Sequence, residues 1–453
     1  MEHVVIVGAG ASGVLTAVHL LRQGERRIAL IGRDKFSLGL AYTTRYRSHV
    51  LNVPVGSMSA LPENADHFYR FAGRLDQTVE RSSFVPRMSF GDYLGDTLDW
   101  AETSGGRLRR IAGEVVAIDR LAADRWRVRL GDGTTLEARE VVLALGNALP
   151  RTPVPSLSSL PATYYAPDPW DSSAFADIPH TAPVLLIGSG LTAIDASLAL
   201  SERGHTGGVI ALSRHGLLPQ DHRPGGAPAV PVVPAPSAST LRGLVREVRE
   251  QLRLAELAGD DWRDVLNSLR RHTPAMWRGL PIRDRRRFLR HLARRWEVHR
   301  HRMAPQVRAA VDGMLSSGWL QVIAGSLLEA IVEREGVTVR YRPRGFSIER
   351  RQTVRVARVI NCTGPNESVR GRSDSLLRSL MDSGEVTPHP LDLGLACRED
   401  GALYARTGEV TRGLWTIGPL RRGESWETTA VPEIREQASH LATAIGERIR
   451  TRS

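Results

Sequence analysis

Val4-Val5-Ile6-Val7-Gly8-Ala9-Gly10-Ala11-Ser12-Gly13 is the stretch whose reading decides the fold. A β-branched run of this kind suits a central parallel strand covered on both faces. The chain then turns on glycine, and Val14 to Leu21 carries helical apolar spacing up to a stop at Gly24. This is the dinucleotide fingerprint in the strand–turn–helix setting that it requires. Gly8 permits the tight turn, Gly10 lets backbone N–H groups approach a pyrophosphate, and Gly13 lets the helix pack closely on the strand. With Ala11 and Ser12 these residues form a candidate cradle, because a helix N-terminus attracts phosphate. The next strand, Arg27-Ile28-Ala29-Leu30-Ile31, should end about 20 residues after the turn in an acid that hydrogen-bonds an adenosine ribose. It ends instead in Gly32-Arg33-Asp34. Either Asp34 reaches back, with Arg33 beside it, or the ribose contact is missing, and restoring the acid with Gly32→Glu should then tighten the nucleotide.

A second unit of the same kind follows the proline-rich stretch around Pro150, Pro153, Pro155 and Pro161. Val184-Leu185-Leu186-Ile187 runs into Gly188-Ser189-Gly190-Leu191-Thr192-Ala193, then a helix through Leu200 that Gly204 ends. Alanine in the third small position is within the fingerprint. Two such units point to two nucleotides. The following strand, Val209-Ile210-Ala211-Leu212, ends in Ser213-Arg214-His215 where an acid would select NADH, and an arginine there suits the 2′-phosphate of NADPH. Arg214 also reads as one more solvated arginine. Three further buried strands close on glycine: one on Gly146, one on Gly364 after Val359-Ile360-Asn361-Cys362, and one on Gly418 after Leu414-Trp415-Thr416-Ile417.

The chain has 453 residues, enough for roughly two to three domains at about 150 each. Apolar residues at 42% and charged residues at 24% fit a globular protein rather than a disordered one. Sixty-one basic residues against 49 acidic ones leave +12, and Lys35 is the only lysine. No arginine stretch is interleaved with stacking aromatics, so nucleic acid is not the expected partner and an anionic dinucleotide is. Cys362 and Cys397 form no CxxC pair, which speaks against a disulfide framework, a zinc ribbon and a dithiol reductase. Their scarcity suits a reducing cytoplasm, the start carries no signal peptide, and no run of about 18 apolar residues predicts a membrane span. Pro224 to Ser239 reads as a loop or linker. Beyond it, Leu241, Leu244, Val245, Val248 and Leu252 carry helical spacing amid dense arginine, predicting a helical insertion over about 240–318. His291, His299 and His301 lack carboxylates at metal spacing and read as a solvated helix face, so no metal is expected. Trp262, Trp277 and Trp296 read as core.

Taken together, the pieces resemble a bacterial family of FAD/NAD(P)-binding flavoproteins distantly related to flavin-containing and N-hydroxylating monooxygenases. They are the first glycine turn, Gly39-Leu40-Ala41-Tyr42, His49-Val50-Leu51-Asn52-Val53-Pro54, Met58-Ser59-Ala60, Phe84-Val85-Pro86-Arg87 with Phe90-Gly91-Asp92-Tyr93-Leu94, the second glycine turn with Asp195, Ser213 to Pro219, Val298 to Arg302, and Trp426 to Pro432. The resemblance covers nearly the whole chain and departs from the family at Gly32, where glutamate is usual. It implies an α/β architecture of two Rossmann-like dinucleotide-binding domains. The FAD domain would be discontinuous, over 1–150 and 351–453, with the NAD(P) domain of 151–350 and its helical insertion between. Gly146, Gly364 and Gly418 would mark crossovers or meet the flavin.

The same resemblance implies that Gly8, Gly10 and Gly13 hold the FAD pyrophosphate and that Val115 faces the adenine. Asn52, Met58 and Ser59 would lie near the isoalloxazine, and Gly418 and the helix after Thr429 would face its pyrimidine end. Asn52 is the one candidate for a catalytic role, although an asparagine before Pro54 also suits a turn. FAD and NADPH are then the cofactors, with NADPH on Gly188, Ser189, Gly190, Leu191, Thr192, Ser213 and Arg214. The expected activity is that of a monooxygenase oxygenating a small molecule, such as an amine of bacterial secondary metabolism. The alternatives are a flavin reductase, dehydrogenase or oxidase that inserts no oxygen, and a nucleotide-binding scaffold without turnover. The histidine-bearing fingerprint of Baeyer–Villiger and flavin-containing monooxygenases is replaced here by Tyr165-Ala166-Pro167-Asp168-Pro169-Trp170.

Overall fold

A computed structural model describes residues 1–451 apart from 26, 34, 35, 225–234, 335 and 373. The apolar run that opens the chain is β1 (Glu2–Val7), and Val4, Val5 and Ile6 are wholly buried in it. It lies between parallel neighbours, β2 (Ile28–Gly32) with β3 (Leu108–Ala112) beyond it on one side and β6 (Thr135–Leu143) on the other. Covering helices explain the lack of polar alternation. An antiparallel ribbon of β4 (Val115–Ala122) and β5 (Arg125–Leu130) extends from β6.

The second sheet is built on β8 (Val184–Ile187), flanked by parallel β9 (Val209–Ser213) and β13 (Arg358–Asn361). β7 (Tyr165–Ala166) is its edge beyond β13, while β10 (Leu320–Val332), β11 (Val337–Pro343) and β12 (Gln352–Val356) extend it beyond β9. This sheet therefore runs past residue 350. The chain then returns to the first sheet with β14 (Ala402–Tyr404) and β15 (Val410–Thr416), the latter parallel to β6. Between β9 and β10 lies a block of helices from Leu241–Ala258 to Pro305–Ser316. Of the stretch expected to be a linker, 225–234 lie outside the described residues.

The closing helix, Val431–Arg450, packs on the fingerprint helix Ala11–Arg22. Glu140 of β6, 1% exposed, accepts from Trp415 Nε1 at 2.7 Å and Arg448 Nε at 3.2 Å, so its buried charge is paired. The two passages between sheets run side by side. Ala148 and Asn366 form an antiparallel bridge, and Asn366 N–H donates to Leu149 O at 3.3 Å. No helix among the described residues is long and apolar enough to cross a membrane.

Several of the motif residues prove to be a clamp between the two halves. Arg87 Nη2 pairs with Asp195 Oδ2 at 2.7 Å while its Nε donates to Val50 O. His49 Nε2 donates to Asp195 O at 2.8 Å and its Nδ1 meets Thr44 Oγ1 at 2.7 Å. His222 Nε2 likewise donates to Asn52 O at 3.0 Å. Burial lowers both histidines below their ordinary range, His222 to about 4. The unfolded chain takes up these protons near pH 6.5 and the fold does not. Their contribution to stability is thus complete above pH 6.5 and is lost as pH falls toward 4. The denaturation midpoint should fall between pH 7 and pH 5, with His19, His301 and His389 adding to the fall, and His222→Gln should make that dependence measurably shallower. A midpoint insensitive to pH in this window would contradict the clamp.

Candidate functional site

The first cradle is set by contacts that only glycine permits. Gly8 has φ +109°, and a Cβ on it would land on the carbonyl oxygen of Ala144, just past β6. One on Gly13 would land on the carbonyl oxygen of Gly8. The turn is therefore as tight as the backbone allows. Gly39, at φ +51°, brings a second segment against it: its Cβ would lie 2.9 Å from Gly10 Cα. Among the described residues no side chain caps the helix that starts at Ala11, which leaves its first-turn N–H groups to an anion. Ser12 Oγ lies where a Cβ of Gly418 would be, so the C-terminal strand end touches the cradle directly. These residues fit a dinucleotide pyrophosphate.

The end of β2 corrects one expectation. A Cβ on Gly32 would stand 2.5 Å from the Cβ of Ala9, and Ala9 cannot swing aside. Glutamate does not fit at position 32 while alanine holds position 9, so adding the acid alone does not restore a ribose contact. Arg33 is exposed beside it, and Asp34 lies outside the described residues. The other first-domain candidates are mostly committed elsewhere. Val115, 7% exposed, and Met58, 2% exposed, pack in the cores on opposite faces of the first sheet. Ser59 Oγ donates within its own turn to Leu61 O and Asn64 O. Asn52 is half-buried, and its carboxamide makes no hydrogen bond among the described residues.

The second cradle repeats the first. Gly188 has φ +122°, and a Cβ there would land on Cys362 O, just past β13. Ala193, in the third small position, is buried with its methyl accommodated. Ser189 Oγ bonds Ser213 Oγ at 2.8 Å and Leu217 O at 2.7 Å, tying the turn to the end of β9. Arg214 follows there, exposed. Gly190 caps the helix Leu191–Glu202 without a side-chain bond, leaving N–H groups at Leu191 and Thr192 to an anion. This cradle too fits a dinucleotide.

Between the cradles lies a seam in which Gln437 and Arg422, which sequence reading did not assign, join Gly418 and Thr429, which it did. Gln437 accepts from Gly418 N–H at 3.0 Å and donates to Thr428 Oγ1 at 2.7 Å, and Thr428 in turn donates to Gly418 O. This ring fixes the uncapped N-terminus of the helix Val431–Arg450 beside Gly418. Thr429 and Arg422 line two small cavities, one with Glu297 and His301, the other with Asn147 and Glu367. Gly146 and Gly364, at φ +64° and +86°, turn the chain into the two passages and have nothing within contact of a Cβ. Arg300 pairs with Glu427 at 2.9 Å, which joins two of the motif pieces.

His301 departs from the expected solvated face. It sits among Arg300, Arg422, Arg270 and Arg294, and burial with these charges lowers it to about 3. Trp277 is core, stacked on Trp426 with centroids 5.0 Å apart, whereas Trp262 and Trp296 are partly buried. None of these long-range pairings has a local sequence signal; only the joint presence of the motif pieces pointed to them.

Residues 5–148 match a family model described as FAD-NAD(P)-binding. No curated protein matches the sequence. Solved structures share the fold over essentially the full length. L-lysine 6-monooxygenase from Pseudomonas syringae is 15% identical with a TM-score of 0.70, over 99% of this chain and 100% of that one. Ornithine N-hydroxylase from Kutzneria sp. 744, solved with reduced FAD, NADP+ and L-ornithine, is 16% identical at 0.64, again over 99% and 100%. Bacillithiol disulfide reductase from Staphylococcus aureus is 13% identical at 0.59, over 99% and 98%. The N-terminal third of this chain thus matches an FAD-NAD(P)-binding family model, and the whole chain shares the two-sheet fold of these solved structures.

Proposed function

We propose that the chain is an NADPH-dependent flavin monooxygenase that oxygenates a small amine, with one domain limit near residue 150 and the other just past β13, near residue 362 rather than 350. The observation that carries this reading is the pair of equivalent cradles joined by adjacent passages, which brings both dinucleotide sites to one seam. Bound FAD would supply the redox chemistry, taking a hydride from reduced nicotinamide and passing electrons to O2. The chain supplies placement. Gly8, Gly10, Gly13 and the first-turn N–H groups hold the flavin pyrophosphate, and Arg214 holds the 2′-phosphate of NADPH. The uncapped helix end after Thr429, aligned by Gln437, favours negative charge on the isoalloxazine pyrimidine. Asn52, its carbonyl held by His222 and its carboxamide without a hydrogen bond among the described residues, would lie near the isoalloxazine.

A cleft of about 520 Å³ opens between the helical block and the helix Val431–Arg450, with Arg270, Glu427, Glu433 and Gln437 in its walls. Its charged walls suit a small polar substrate. The disulfide reductase chemistry of one structural neighbour has no support in the thiols. Cys362 and Cys397 are both buried, and burial pushes Cys397 up to about 11. A thiol held protonated is a poor nucleophile.

The purified protein should be yellow and bleach with NADPH under anaerobic conditions, and with lysine, ornithine or cadaverine as probe amines and heavy O2 the product should retain label. Peroxide with unlabelled product would favour the oxidase alternative, and a protein that takes up no FAD would sink both. Arg214→Ala should raise KM for NADPH roughly tenfold or more, as loss of a charged hydrogen bond implies, and leave KM for NADH nearly unchanged; equal shifts would remove Arg214 from coenzyme choice. Gly32→Glu should weaken FAD binding, and Ala9→Gly in the same chain should recover it. A single Gly32→Glu variant that binds FAD more tightly than the parent would refute the steric account.

A further inference from the structure

The helical block between β9 and β10 reaches the second cradle at Arg294. Arg294, in the helix Ala293–Arg300, places its Nη2 3.4 Å and its Nη1 3.6 Å from the point that a Cβ on Gly190 would occupy. Gly190 is the cap of the helix Leu191–Glu202, so the guanidinium lies against the positive end of a helix dipole. A cation is unfavourable there unless an anion sits between. Its surroundings deepen the mismatch. Arg344, Arg214 and Arg295 act with Arg294 on the neighbouring His215, so the charges that weigh most there are positive.

One acid does face Arg294. Glu297 Oε2 lies 3.5 Å from its Nη1. Glu297 is shared, since its other oxygen accepts from Arg422 Nη2 at 3.0 Å, and Arg422 Nη1 pairs with Glu367 at 3.1 Å while the guanidinium stacks on Trp426 at 4.4 Å. Arg294 is thus braced from the seam. Its side chain is about a third exposed.

We propose that Arg294 is the phosphate clamp of the second cradle, binding the pyrophosphate of the nicotinamide dinucleotide opposite the helix N-terminus. The helical block is then part of the coenzyme site. The proposal rests on the reading of that cradle as a nicotinamide site. It differs from the role of Arg214 in a measurable way, because NADP+ and NAD+ share the pyrophosphate and differ in the 2′-phosphate.

The test is calorimetric binding of NADP+ and NAD+ to the full-length, FAD-loaded protein and to Arg294→Gln, Arg294→Lys and Arg214→Ala. Arg294→Gln should weaken both dinucleotides by the same factor, roughly tenfold for a charged hydrogen bond, with Arg294→Lys between it and the parent. Arg214→Ala should weaken NADP+ alone. The flavin spectrum and melting temperature of Arg294→Gln should match the parent, which separates a lost contact from a lost fold. An unchanged affinity in Arg294→Gln, or a loss confined to NADP+, overturns the clamp while leaving the cradle intact. A parent protein that binds neither dinucleotide overturns the cradle reading itself, and the clamp with it.

Discussion

Two glycines pressed against the ends of neighbouring strands hold the rest of this molecule in place. Gly8 meets the carbonyl of Ala144 and Gly188 meets that of Cys362, both in left-handed backbone that favours glycine. Because each glycine sits at the C-terminal end of a parallel strand, the following helix starts at the same end of each sheet. Two anion-attracting helix ends result, and everything else concerns how far apart they stand and which way they face. The adjacent passages at Ala148 and Asn366 limit the first quantity, and the clamp of Arg87, His49 and Asp195 limits the second.

The first cradle differs from the second in how it is closed. Its third glycine is obligatory, since even a methyl on Gly13 would overlap Gly8, whereas Ala193 is accommodated in the second. Gly39 and Gly418 also come onto the first turn from two directions. A cradle so enclosed suits a cofactor that stays, and a more open one suits a coenzyme that exchanges. Gly32 belongs to the same packing. The small residue at the end of β2 is the partner of Ala9, and size complementarity explains it without a loss of function.

Much of the fold was legible in the sequence because its signals are local. The β-branched run of β1, the glycine spacing at Gly8 to Gly13 and at Gly188 to Ala193, and the helical periodicity after Leu241 each lie within a short window. The candidate site was legible only in part. The roles of His49, Arg87 and Asp195 could not be read, because their partners are brought together by tertiary structure. Gln437 and Arg294 gave no signal, since a single glutamine or arginine on a helix is indistinguishable from a solvated one until its neighbours are known. The expectation for Gly32 failed for the same reason: the obstacle is a methyl group on the adjacent turn, far away in sequence. His301 was misplaced because the helix face it lies on is covered by the segment around Arg422.

The central claim is that both cradles are filled at once and present their ligands to each other across the seam. A crystal structure of the protein with FAD and NADP+ tests it most directly. The account predicts a pyrophosphate on each glycine turn and the nicotinamide ring within about 3–3.5 Å of the isoalloxazine, as hydride transfer requires. An empty turn, or rings held apart by the protein between them, would contradict it.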